Sequence, residues 1–586
     1  MSTLLPGKDA PLEATIERLQ ARLDALGFHV EPASWLNPVP NVWSVHIRDR
    51  DCPQLFTNGK GRSREAALAS ALGEFFERLS TNYFWADFHL PDFRTRTFVH
   101  FADEVWLPHG DQRIADDLPL RAFYDREGAL SEADLTDLTS GHAERGVCCL
   151  PFRRLDQERT VLLPVNLLEN LYASNGMSAG NTPAEARVQT LSEIFERAIR
   201  IRVLREGLSL PDIPEAVIDR WPRIREAVDA IRERGFVLLL RDASLGGRYP
   251  VINVTLINPE DGSCFASWGA HPLFEVALER TVTELLQGRA LEDMRGFSTP
   301  STDLEEVASL ENLETHFIDA SGLVHWGLLG DAPDFPFHDW NWAGSTEEQY
   351  RQLLELFARD GLAVYCRDYT EMGVYACRII VPGLSEIYPP EDLLEANNNA
   401  ALPVLDCLHA LPEPTEEQVQ CLAEWLDTCA LDDYTPCYEL AGLRPAPDDH
   451  WGHLRIGELR LWTALQLGEQ ETARDQAAWL RDLDVLPEPQ RRLIAAVHDL
   501  LDLELSGYAH EPFARALAAL HGTERYQQAS RLVRGEAGWP GLGPAMDGPA
   551  HQALQLAYEK AWQARATARQ TDKVAQDHCP GTASRA

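Results

Sequence analysis

One unit of this chain is written three times within residues 57–289: a β-rich run, a glycine-containing loop and an acid-bearing helix, always in that order. Ordered recurrence of this kind signals repeated supersecondary units. The first copy, TNGKGRSREAALASALGEFFERL, carries Glu74, Glu77 and Arg78. The second, NGMSAGNTPAEARVQTLSEIFERAI, carries Glu193, Glu196 and Arg197 in the same E-x-x-E-R pattern. The third, FASWGAHPLFEVALERTVTELLQGR, replaces the second acid and gives Glu284, Gln287 and Arg289, with Arg280 one turn earlier. Separations of three and four place such side chains on one helical face.

A single E-x-x-E-R on a helix is usually a solvated face with an internal ion pair worth a few tenths of a kcal/mol. The neighbours argue otherwise here. Leu72, Phe75, Phe76 and Leu79, then Leu191, Ile194 and Phe195, then Leu278, Val282, Leu285 and Leu286 occupy more than one side of their helices. Helices apolar on several sides are buried, so the carboxylates cannot all face bulk water. Buried carboxylates need cations, and a hard ion such as magnesium takes oxygen ligands and shares its remaining positions with phosphates. The arginines suit phosphate oxygens. Loops bearing Asn58, Gly59 and Gly61, then Gly176, Gly180 and Asn181, then Gly269, precede the helices, where free N–H groups and the helix dipole favour anions. None forms a Walker or Rossmann motif.

At 586 residues, two or more domains are expected. The net charge of -38 disfavours nucleic acid and anionic lipid as partners. Eleven cysteines without a C-x-x-C pair form neither a disulfide framework nor a zinc ribbon, and the adjacent Cys148 and Cys149 read as small apolar residues of a buried segment. No signal-like start and no run of about twenty apolar residues is visible, so the expected location is cytoplasmic. Residues 11–28 predict an opening helix stopped by Gly27. From there to about residue 395, β-rich runs at 42–47, 251–257 and 374–381 alternate with amphipathic helices, an α/β or α+β pattern. Beyond Asn397, Asn398 and Asn399 strand signals vanish. The predicted division is a mixed domain over 1–400, an all-helical domain over 401–570, either tetratricopeptide-like or a helical bundle, and a disordered tail over 571–586. Residues 454–483 read as two helices joined by a short turn. Trp425, Trp451, Trp462 and Trp479 are expected mostly in the core, with an interface as the alternative.

The three glutamate helices, together with PGKDA at 6–10, EPASWLNPVPNVWSVHIRD at 31–49, YASNGMSAGNT, DASLGG and GVYACRIIVPG at 373–383, resemble the YcaO family. The resemblance implies an α+β fold in which sheets and carboxylate-bearing helices surround one ATP with several magnesium ions. Carried over by position, Glu74, Glu77, Glu193, Glu196 and Glu284 would ligand magnesium, with Gln287 at or near them. Arg197 and Arg280 would hold phosphates, and Lys8 and Asn181 would contact the nucleotide. No catalytic residue is singled out.

Azoline-forming members use ATP to phosphorylate a peptide amide oxygen, so that a Cys, Ser or Thr closes onto the carbonyl carbon. Their Pro-x-Pro-x-Pro ending is replaced here by HCPGTASRA, which makes peptide heterocyclisation the second expectation. The first follows from a closer likeness to a family member proposed as an accessory factor in β-methylthiolation of an aspartate on ribosomal protein S12. No C-x-x-x-C-x-x-C cluster is present, so methylthio transfer itself would belong to a separate radical S-adenosylmethionine enzyme. The expected partners are therefore that methylthiotransferase and the ribosomal protein, and a homodimer is expected, with the helical domain a candidate for partner binding or for dimerisation. A nucleotide-dependent scaffold without chemistry is the third expectation.

Overall fold

Helix–strand packing sets this architecture, seen in a computed structural model that describes residues 3–90, 96–111, 118–141, 143–446, 448–536 and 538–577. The opening helix spans Leu12–Leu26 and ends on Gly27, whose φ of 83° is the left-handed stop its missing Cβ permits. Three antiparallel sheets follow. Strands β1 (Val30–Val39), β2 (Val42–Asp49) and β3 (Phe56–Gly61) pair in sequence order. A larger sheet runs β4 (Val105–Leu107), β5 (Val147–Arg154), β11 (Tyr365–Tyr369), β12 (Tyr375–Ile380) and β7 (Met177–Gly180), with β6 (Arg159–Pro164) also on β5. The third sheet is β10 (Cys264–Ala270), β9 (Val251–Ile257) and β8 (Val237–Asp242).

The carboxylate helices, Arg64–Ser80, Pro183–Glu206 and Phe274–Leu285, join these sheets cyclically. The first packs on β2 and β3 and on β7 and β12 of the large sheet; the second packs on β7 and β12 and on β9 and β10; the third packs on β9 and β10 and on β2 and β3. Each helix is thus wedged between its own sheet and the next, which explains the apolar residues on more than one side. Phe75, Phe76, Leu191, Ile194, Leu278 and Leu285 are all buried.

A short device repeated in each strand holds helix to sheet. Thr57 Oγ1 donates to Ala71 O at 2.8 Å, Ser178 Oγ to Ala186 O at 2.6 Å and Ser267 Oγ to Thr281 O at 2.9 Å. Two residues after each hydroxyl stands a glycine against the helix backbone: a Cβ on Gly59 would lie 2.1 Å from Ala67 O, on Gly180 2.8 Å from Ala186 N, and on Gly269 2.9 Å from Ala277 O. These glycines lie on strands, not in the anion-binding loops the sequence suggested, and their function is close packing.

After the mixed region, Glu416–Thr428, Ile456–Leu467, Gln470–Leu480, Glu488–Leu505, Ala514–His521 and Thr523–Val533 stack as successive helices around Leu459, Leu480, Ile494 and Val497. Gly468, at φ 76°, makes the predicted turn between two of them. Trp451 and Trp462 are buried, Trp425 packs partly buried, and Trp479 is exposed against Tyr434.

The last helix, Pro549–Asp577, departs from the expected division. Leu554, Ala557, Tyr558 and Ala561 enter the core of the first sheet and first carboxylate helix, beside Leu19, Phe28, Phe75 and Trp85. Tyr558 OH donates to Val99 O at 2.7 Å, Trp562 Nε1 to Phe98 O at 3.0 Å and Arg565 to Leu79 O at 2.9 Å. It closes the mixed domain from the far end of the sequence. Its backbone also carries 571–577, expected as tail, while 578–586 lie outside the described residues. Among the described residues no helix is long and apolar enough to cross a membrane, and the ten cysteines form no disulfide.

Candidate functional site

The cyclic packing turns the polar face of each carboxylate helix toward a shared cleft. Alternation along β3 puts Asn58 and Lys60 on one side of that strand, and Arg62 follows just past its end. They run along the third helix: Gln287 Nε2 donates to Asn58 O at 3.1 Å, Lys60 pairs with Glu284, and Arg62 lies 3.3 Å from Glu279 and 4.0 Å from Glu275. A period of two on the strand meets a period near four on the helix, and this seam closes the ring of repeats.

The second helix contributes a polar stripe at every fourth residue. Thr182 caps it, accepting from Glu185 N at 3.1 Å. Glu185 takes Lys8 Nζ at 3.3 Å, the Asp9 N–H at 2.8 Å and the Asn181 amide at 3.1 and 3.0 Å. Burial opposes its charge, but Lys8 and these donors outweigh it and hold the carboxyl below its ordinary range. One turn on, Gln189 accepts from Arg280, and a further turn brings Glu193, bonded to Arg197 at 2.7 Å. From Glu185 to Glu196 the stripe extends about 16 Å at the rise of a helix. Lys8 and Asn181 therefore mark one end and Glu193 and Glu196 the other.

Electrostatics show which groups meet. Burial and the Arg280 charge push Lys60 down to about 8, against the pull of Glu196, Glu74 and Glu193. Burial, Glu193 and Glu74 push Glu77 well above the carboxylate range. Glu193 is raised by burial, with Glu196 adding to it while Arg197, Arg280 and Lys60 oppose. Acids from the first and second repeats thus share one charge cluster, which Glu284 of the third joins through Lys60. Gln287 stands at its edge on Asn58.

Each arginine of an E-x-x-E-R pattern bonds its own acid four residues back, Arg78 to Glu74 at 2.5 Å and Arg197 to Glu193. The internal pair of an ordinary helix face is therefore present as well. It does not exhaust the donors: Arg197 NH1 and Arg280 Nε are buried without a hydrogen-bond partner. Arg289 points elsewhere, over Phe265 at 4.6 Å and onto Asp319 O at 3.0 Å. Excess acid and unsatisfied arginine donors in one cleft fit a divalent cation with a polyanion, since each relieves the charge the other group leaves unpaired.

Sequence reasoning passed over Lys60, Arg62, Glu185, Gln189, Glu279 and His271. His271, on the loop into the third helix, accepts from Leu273 N at 3.0 Å, and burial with Arg280 and Lys8 nearby holds it well below its ordinary value. Lys60 alone carried a legible signal, a lysine flanked by glycines within the first repeat.

Residues 58–385 match the family model described as YcaO cyclodehydratase, ATP- and Mg2+-binding, and residues 402–567 match the YcaO cyclodehydratase C-terminal domain. The chain is 48% identical over 581 residues to the ribosomal protein S12 methylthiotransferase accessory factor YcaO of Escherichia coli strain K12, spanning 96% of this chain and 99% of that one. It is 47% identical over 580 residues to an uncharacterized protein of Haemophilus influenzae, spanning 96% and 98%. Among solved structures it is similar to YcaO from Methanopyrus kandleri bound with AMPPCP and Mg2+, at 20% identity and a TM-score of 0.39 over 66% of this chain and 93% of that one. A heterocyclase in complex with substrate and cofactor aligns at 16% identity and a TM-score of 0.43 over 67% and 57%.

Proposed function

Because the chain belongs to the YcaO family, whose cofactors are ATP and Mg2+, we propose that its cleft binds Mg2+-ATP in support of β-methylthiolation of ribosomal protein S12. The observation that carries the binding site is the convergence of carboxylates from all three repeats beside buried arginine donors that lack partners. Glu74, Glu77, Glu193, Glu196 and Glu284 hold the metal, with Gln287 bracing the seam. Arg280 and Arg197 offer Nε and NH1 to phosphate oxygens. Lys8 and Asn181, at the far end of the stripe, take the rest of the nucleotide. ATP supplies an activating phosphoryl group, and Mg2+ offsets its charge. The chain orients that group, and the cation offsets the charge of acids that burial and mutual repulsion disfavour. Substitution of Glu193→Gln together with Glu196→Gln removes two charges at constant shape. Affinity for Mg2+-ATP by calorimetry should fall more than tenfold with circular dichroism unchanged. Unchanged affinity would return the motif to an ordinary helix face.

The methylthiolation role rests on near-complete alignment with the Escherichia coli accessory factor. In this reading the protein works in the cytoplasm beside a separate radical methylthiotransferase. The helical domain supplies docking or dimer contacts, and the exposed pairs Tyr434–Trp479 and Tyr508–Phe513 support that. Deleting the gene should lower β-methylthiolation of the aspartate on ribosomal protein S12, read by intact-protein mass spectrometry, and the wild-type gene should restore it. Full modification in the deletion strain would overturn the role. The family's description as cyclodehydratases favours azoline formation as the second reading; loss of water from a peptide on incubation with Mg2+-ATP would establish it instead.

A further inference from the structure

Beyond the C-terminal end of the first carboxylate helix, three ligand-type side chains from separate segments meet in the interior. His100 Nε2 lies 3.0 Å from Asp137 Oδ2, and a ring nitrogen, a carboxylate oxygen and Cys148 Sγ all fall within 4.8 Å of one another. The residues are 2%, 1% and 1% exposed. Asp137 Oδ2 also accepts the Ser140 N–H at 2.8 Å, whereas Asp137 Oδ1 is buried with no partner. His100 faces Oδ2 only, and an acceptor left without a partner in such a place is costly unless a cation or donor answers it.

We propose that His100, Asp137 and Cys148 bind one zinc ion, at a site chemically distinct from the carboxylate cleft. Nitrogen, oxygen and sulfur donors together suit borderline-soft zinc, while magnesium requires oxygen alone. Zinc–nitrogen and zinc–oxygen bonds of about 2.0 Å and a zinc–sulfur bond of about 2.3 Å put tetrahedral donors roughly 3.3–3.6 Å apart. The present spacing is therefore within a small side-chain adjustment of that geometry. Binding forms a sulfur–zinc bond as the Cys148 thiol proton leaves to solvent, together with the imidazolium proton where His100 carries one. Carboxylate, thiolate and neutral imidazole around Zn2+ sum to zero charge, as a buried site demands.

Three protein ligands leave a fourth position. His100 lines a cavity of about 20 Å³ with Asn82, Tyr83, Glu169, Tyr369 and Arg378, room for one water. Asn82 lines the same cavity with its Oδ1 buried and without a partner, and its Nδ2 donates to His100 O at 3.3 Å. A water held in the cavity would donate to Asn82 Oδ1 beside His100.

The test strips purified full-length protein with chelator and reloads it with zinc in excess magnesium, which occupies the carboxylate cleft. Elemental analysis after dialysis should find one zinc per chain. Cobalt(II) in its place should give a near-ultraviolet sulfur-to-cobalt charge-transfer band. Cys148→Ser should abolish that band and weaken zinc more than tenfold, Asp137→Asn should weaken zinc but keep the band, and Cys149→Ser should change neither. Absence of retained zinc, or a band that survives in Cys148→Ser, would overturn the assignment and leave a plain His100–Asp137 ion pair. If Cys148→Ser fails to fold by circular dichroism, the wild-type cobalt spectrum and Cys148→Ala decide: no thiolate band in the wild type refutes the site.

Discussion

Placing a methyl group on Gly59 asks whether the glycines of the repeats serve packing or anion binding. The added Cβ would sit 2.1 Å from Ala67 O, 2.4 Å from Ala71 N and 2.7 Å from Ala71 Cβ, all on the first carboxylate helix. Ordinary contact requires the helix to withdraw from β3 by roughly 1.3 Å or more. Overpacking of this kind costs about 1–3 kcal/mol. Withdrawal also stretches the buried Thr57–Ala71 bond of 2.8 Å, worth about 1 kcal/mol. Relief of glycine's extra chain entropy returns about 0.5–1 kcal/mol, so Gly59→Ala should destabilise the helix locally by about 1–3.5 kcal/mol. Amide hydrogen exchange over 64–80 should then accelerate roughly 5- to 300-fold. Gly73 provides the control within the same helix: its Cβ would meet nothing within 4 Å, so Gly73→Ala should slow exchange about two- to fivefold through helix propensity. Unchanged exchange over 64–80 in Gly59→Ala, with nucleotide affinity alone reduced, would refute the packing argument and restore the anion-binding loop.

Removing the Tyr558 hydroxyl by Tyr558→Phe leaves buried Val99 O without its 2.7 Å partner; denaturant unfolding should show a loss of about 1–2 kcal/mol in the mixed domain. A chain ending at residue 548 exposes Leu19, Phe28, Phe75 and Trp85 and should be insoluble or loosely folded, whereas residues 402–546 alone should be soluble and helical by circular dichroism. Glu458, 2% exposed, is pushed up to about 8 by burial. Its folded pKa exceeds the unfolded one, so its contribution is fully present below about 4.5 and is lost as pH rises through 8. Glu458→Gln should flatten that slope in the helical domain by at most about 5 kcal/mol, measured by urea unfolding at several pH values.

Local pattern was enough for several features. The helical spacing of Glu74 and Glu77, repeated at Glu193 and Glu196, marked the acid-bearing faces. β-rich runs marked β2, β9 and β12, Gly27 marked a helix end, and 454–483 read as two helices joined by a short turn, because each depends on neighbours a few residues away. The likeness of whole motifs carried the family. Tertiary structure alone decided what those patterns meet. Gly59, Gly180 and Gly269 read as loop glycines until helix backbones were seen against them. Lys60 gained its place only through Glu284, far along the chain, and Glu185 through Lys8. The closing helix has the composition of its helical neighbours, yet Tyr558 and Arg565 belong to the core of the opposite end of the sequence. A side chain's periodicity reports that it is buried; the partner that buries it is set by long-range packing, which no window of sequence contains.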